Sequence, residues 1–138
     1  MQPKPAGYSG TPLARKLGMT EGSRVFAKNP PPDYVQLLEP LPPRVAFEKK
    51  VGKETDLVHL FCDRAASLKA ELEHLRTAIK ANGVVWVSWP KKASKVPTDM
   101  TEDVVRDVAL PGGLVDNKVC AIDEVWSGLR LVWRLENR

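Results

Sequence analysis

The spacing of apolar residues changes along the chain, and each change marks an element. Leu68, Leu72, Leu75 and Ile79 recur at i, i+4, i+7 and i+11, a helical stripe that Asp63 can cap and Asn82-Gly83 closes. Residues 56–62 and 84–89 are nearly unbroken apolar runs, the pattern of strands covered on both faces. Pro90 stops the second run. Val104, Val105 and Val108 predict a helix started by Asp99 with Glu102, or by Thr101 alone, and ended by Pro111-Gly112-Gly113. Residues 114–122 and 128–135 read as strands, and the link between them is short enough for an antiparallel hairpin.

Proline punctuates the first third: nine of the 12 prolines lie within residues 1–43. Residues 1–8 are expected to form a flexible arm and residues 9–138 a single domain. Thr11-Pro12 reads as a cap and first helical position, with Gly18 as the stop. Residues 23–28 form a strand. Asn29-Pro30-Pro31-Pro32-Asp33 is then a rigid turn into a helix bearing Tyr34, Leu37, Leu38 and Leu41. Residues 44–48 make a second short strand. The order is α-β-α-β-β-α-β-α-β-β, which argues a mostly parallel sheet between helices with an antiparallel strand at the end.

Composition adds little to this. The 138 residues are 43% hydrophobic and 28% charged, an ordinary globular mix. Net charge is +4, without a nucleic-acid field over the whole chain, and nucleic acid is not an expected partner. The longest apolar run, Val84 to Val87, is far too short to cross a bilayer. Cys62 and Cys120 have no framework spacing, and residues 1–9 hold no apolar run. Both features point to a reducing, cytoplasmic setting. His59, Cys62, His74 and Cys120 lack the spacing of a metal site, and none is expected.

From Asp56 to Leu135 the pattern "DLVHLF", leucine-striped helix, "NGVVWVSWP", "TEDVVRDVALPGGLVD", "GLRLVWRLE" resembles the C-terminal half of a class I methyltransferase. The whole chain is also similar to a family of small bacterial proteins with no known activity. The similar stretches are "GYSGTPLARKLG", "WPKKAS", "TEDVVR" and "VDNKVCAIDEVWSGLRLV". These resemblances imply a three-layer, Rossmann-like α/β domain. Its sheet would be mainly parallel, of five to six strands with a C-terminal hairpin, and short by about one βα unit of a complete methyltransferase. Methyltransferases of this class hold S-adenosylmethionine on a glycine-rich turn after the first strand and use an acidic residue ending the second. Here that turn has no glycine, and Glu48 is the possible acidic match. No cofactor is therefore expected, S-adenosylmethionine included.

In open α/β sheets, ligands bind outside the carboxyl ends of the strands. Asn29, Asp63 and the Trp89, Lys91, Lys92 stretch with Lys95 fall there, with Asp99 as a candidate base. Lys118 and Trp126, around the closing hairpin, complete the candidate crevice; a buried Lys118 would pair with Asp116 or Asp123. Trp89 and Trp126 stand at element ends where an indole can stack on a ligand or pack in a core or subunit interface. The first expectation for function is a non-catalytic binding or interaction protein on a methyltransferase-like scaffold. The alternative is an enzyme or small-anion binder using the crevice near Lys91 and Lys92, and the third is weak nucleic-acid binding. Edge strands make a homodimer an expected partner.

Overall fold

Buried side chains alternate along the strands and so define two packed faces. The computed structural model describes residues 11–138; the arm expected at residues 1–8 lies outside them. The strands are β1 (Arg24–Lys28), β2 (Ala46–Phe47), β3 (Leu57–Phe61), β4 (Val84–Pro90), β5 (Leu114–Ala121) and β6 (Trp126–Trp133). The helices are α1 (Leu13–Leu17), α2 (Tyr34–Leu38), α3 (Ala65–Ala78) and α4 (Glu102–Ala109). Their order along the chain is the one the apolar spacing predicts.

One sheet of six strands runs β2-β1-β3-β4-β6-β5. The first four strands are parallel, and β6 lies antiparallel between β4 and β5. Val58 and Leu60 of β3, with Val85, Val87 and Trp89 of β4, pack against Leu68, Leu72 and Leu75 of α3 and Val105 and Ala109 of α4. Leu57, Phe61 and Trp86 face the other way, onto Leu13 and Leu17 of α1 and Tyr34 and Leu38 of α2. The Trp86 indole N–H donates to the Leu17 carbonyl at 2.7 Å and ties α1 to the sheet.

Two local expectations are corrected, the caps of α1 and α3. Pro12, not Thr11, occupies the N-cap of α1, with no side-chain cap bond. Thr101 caps α4 by accepting the Val104 N–H. Asp99 is freed from that role and reaches across to α3, where its Oδ1 accepts the Ala65 N–H at 2.8 Å in place of Asp63. Gly128 sits inside β6 opposite Ser88, within the strand expected from residue 128. A Cβ there would lie 3.1 Å from Ser88 Oγ, Trp86 Cε3 and Ile122 Cδ1, so glycine serves close approach of side chains.

Helix α2 follows β1 on one face and α3 follows β3 on the other. The chain therefore leaves neighbouring strands in opposite directions, and the topological switch point lies between β1 and β3.

Candidate functional site

The carboxyl ends of β1 and β3 part at the switch point around a cavity of about 130 Å³. Lys28, Asn29, Cys62, Asp63, Ser67 and Glu71 line it with Leu60, Phe61 and Leu68. Asn29 and Asp63 thus share one crevice. Asn29 has φ 56, in the left-handed region that asparagine tolerates better than most residues. Lys28 pairs with Glu71 across the mouth. The Cys62 thiol donates to the Arg64 carbonyl at 3.0 Å.

A larger cleft of about 730 Å³ opens beside it, at the end of β4. Its basic wall is Lys91, Lys92 and Lys95; its apolar wall includes Trp89, Val96, Pro97 and Met100. Among the described residues, none of the three ammonium groups has an ion-pair partner. Glu102, the one carboxylate lining the cleft, is bonded to Arg106 at 2.5 Å. The lysine loop is pinned at both ends. The Lys91 N–H donates to the Val125 carbonyl at 2.7 Å, and the Thr98 hydroxyl donates to the Asp63 carbonyl at 2.7 Å. That second bond joins the cleft to the crevice.

The remaining candidates are dispersed. Asp99 is an exposed helix cap for α3. Trp89 is 6% exposed and packs into the α3–α4 face, so its ring presents little surface to the cleft. Trp126 is half-buried on the opposite face, edge-on to Phe61 at 5.1 Å. Lys118 is exposed on the edge strand β5, where it donates to the Lys16 carbonyl at 3.2 Å rather than pairing with Asp116 or Asp123. The arrangement does not bring it to the crevice.

Beneath the switch point lies a polar chain that the sequence reading missed. His59 is fully buried, with Nδ1 2.8 Å from Tyr34 Oη and Nε2 2.7 Å from Ser88 Oγ. Its ring stacks on Phe61 at 4.1 Å. Burial pushes the imidazole down to about 3 and the Tyr34 phenol well above its ordinary range. Both ring nitrogens are used within the core. The clue in the sequence is a histidine and a serine, each inside an otherwise apolar strand.

The fold is that of class I S-adenosylmethionine methyltransferases, in a six-stranded form. It superposes on a putative type 11 methyltransferase from Sulfolobus solfataricus with TM-score 0.61 at 12% identity, over 88% of this chain and 89% of that one. A SAM-dependent methyltransferase from Aquifex aeolicus gives 0.56 at 12%, over 86% of each chain. The complex of LepI with SAM gives 0.53 at 12%, over 88% of this chain and 39% of that one. No family model matches the chain, and no curated protein matches it.

These neighbours overturn the expectation that set S-adenosylmethionine aside. They include a SAM-dependent methyltransferase and a complex with SAM, so the missing glycines do not set the cofactor aside. In the turn after β1, Asn29 takes the left-handed conformation that glycine most readily supplies. Glu48, the possible acidic match, is engaged elsewhere. Its carboxylate accepts from Arg24 Nε at 2.9 Å and from the Thr55 hydroxyl at 2.7 Å, at the end of the sheet remote from Asn29.

Proposed function

We propose that this protein binds a small anionic metabolite in the lysine cleft at the end of β4. The observation that carries the reading is a cleft of ligand size walled by Lys91, Lys92 and Lys95, three lysines against one lining carboxylate, Glu102, which is paired with Arg106. Three like charges held on one pinned loop repel one another. An anion relieves that repulsion, and the apolar wall gives a carbon skeleton somewhere to rest. Binding alone meets these features; Asp99, the candidate base, does not line the cleft and accepts the Ala65 N–H of α3.

Thermal melting with inorganic pyrophosphate and with citrate tests the reading. A rise in melting temperature with either anion, lost in a Lys91→Ala, Lys92→Ala variant, supports it. No shift with either at millimolar concentration refutes it.

The left-handed Asn29 favours a second reading, in which S-adenosylmethionine occupies the crevice between β1 and β3. In that case the neighbouring cleft would hold the acceptor. Calorimetry with S-adenosylmethionine separates the readings: heat that persists in the double lysine variant belongs to the crevice.

A further inference from the structure

The opposite end of the sheet carries a second basic surface. A cleft of about 550 Å³ lies over β2 and the loop that follows it, with Phe47 beside Lys49, Lys50 and Lys53 and with Glu48 and Glu54 as its lining carboxylates. Unlike a solvated charge run, this loop is fastened at several points. Thr55 is fully buried; its hydroxyl accepts the Gly52 N–H at 2.9 Å and donates to Glu48 at 2.7 Å. Glu48 is neutralised in turn by Arg24 at 2.7 Å, and the Glu48 N–H donates to the Val25 carbonyl. Lys53 is spent on the Thr77 carbonyl. Lys49 and Lys50 remain, both exposed and, among the described residues, without an ion-pair partner.

Phe47 is 40% exposed, a large aromatic left in water at the rim of this basic surface. Its ring lies edge-on to Tyr34 at 6.4 Å, a contact that favours this orientation before any ligand arrives. A pre-oriented aromatic face beside unpaired ammonium groups matches one ligand chemistry: a flat base joined to phosphate. From this juxtaposition we infer a nucleotide site, with the base stacked on Phe47 and the phosphates on Lys49 and Lys50. The site is independent of the lysine cleft, and the near-even charge of the whole chain does not bear on so local a surface.

The phosphate can come from a free nucleotide or from a single strand, and the experiment separates them. Fluorescence anisotropy follows a labelled ten-nucleotide single-stranded RNA at low salt, with ATP as competitor. Binding is expected to weaken steeply as salt rises. The Lys49→Ala, Lys50→Ala variant should lower the slope of log affinity against log salt by about 1.4, the contribution of two single-strand phosphate contacts. Phe47→Ala should weaken binding roughly tenfold and leave the slope unchanged, because stacking releases no counterions. Displacement of the RNA by ATP assigns the site to free nucleotides; RNA binding without displacement assigns it to a strand.

Failure of both RNA and ATP to bind overturns the proposal. So does an equal loss from Lys69→Ala, Arg76→Ala on α3, which would mark non-specific charge. Loss in the Lys91→Ala, Lys92→Ala variant alone would move the site to the other end of the sheet. Melting curves of each variant establish that it folds. The pyrophosphate and citrate measurement stands or falls separately.

Discussion

Acidification should unfold this protein through one residue, His59. The ring is wholly buried between Tyr34 and Ser88, and burial holds it neutral down to about 3. In the unfolded chain the same imidazole protonates near pH 6.5, its ordinary value. Between those two values the unfolded state binds one more proton than the native state, so stability rises with pH. The contribution is fully present above pH 6.5 and is lost as pH falls toward 3. One pKa unit corresponds to about 1.4 kcal/mol, so about 2 kcal/mol is lost by pH 5 and about 4 kcal/mol by pH 3. A domain of this size has roughly 5–15 kcal/mol in total, so the loss is decisive.

Urea unfolding followed by tryptophan fluorescence, at half-unit steps from pH 8 to pH 5, measures it. The comparison variant is His59→Gln, which keeps a donor and an acceptor but does not titrate. Carboxylate effects are common to both proteins and cancel in the difference. Wild type should lose about 1.4 kcal/mol per pH unit relative to the variant below pH 6.5, and nothing above pH 7. If the variant is too unstable to measure, the ring nitrogen shifts of His59 give a second reading. They should remain those of a neutral imidazole down to pH 4. Parallel stability curves, or a His59 ring that protonates near pH 6 in the folded protein, would refute the reasoning.

Gly128→Ala should destabilise by about 1–3 kcal/mol, because the new methyl meets Ser88, Trp86 and Ile122 at 3.1 Å in a packed core; chemical denaturation measures it. Asn29→Ala should cost about 1 kcal/mol and Asn29→Gly close to nothing, since φ 56 penalises a Cβ that has no compensating polar group; the same assay ranks the pair. Asp99→Ala should cost about 1 kcal/mol, the worth of a helix cap, and should raise amide exchange at Ala65. An unchanged Ala65 exchange rate would mean that the cap bond contributes nothing in solution.

Helix α3 and strands β3 and β4 were legible because their patterns are local. A leucine at every turn can bury only one face of a helix, and an unbroken run such as Val84 to Val87 needs cover on both sides. Trp126 was placed in the link before the last strand, yet it pairs with Pro90 and begins β6. The turn Asp123–Val125 and the neighbouring strand together decide that boundary, and neither periodicity nor propensity records it. The candidate site was legible in part. Asn29 with Asp63, and Lys91 with Lys92, follow from knowing which strand ends carry them. Lys118 was misplaced because β6 inserts beside β4 and sends β5 to the edge.

By itself, then, the sequence determined the element order, the parallel sheet and its closing hairpin, since each depends on spacing within a dozen residues. Tertiary structure alone decided partnership. It gave Asp99 to α3 instead of α4, gave Glu48 to Arg24 and Thr55 rather than to the crevice, and joined Tyr34, His59 and Ser88 from three separate elements. Hydrogen bonds and ion pairs act over about 3 Å in space, whatever the distance along the chain. Which polar groups are spent on the fold, and which remain for a ligand, is settled only once the chain has closed.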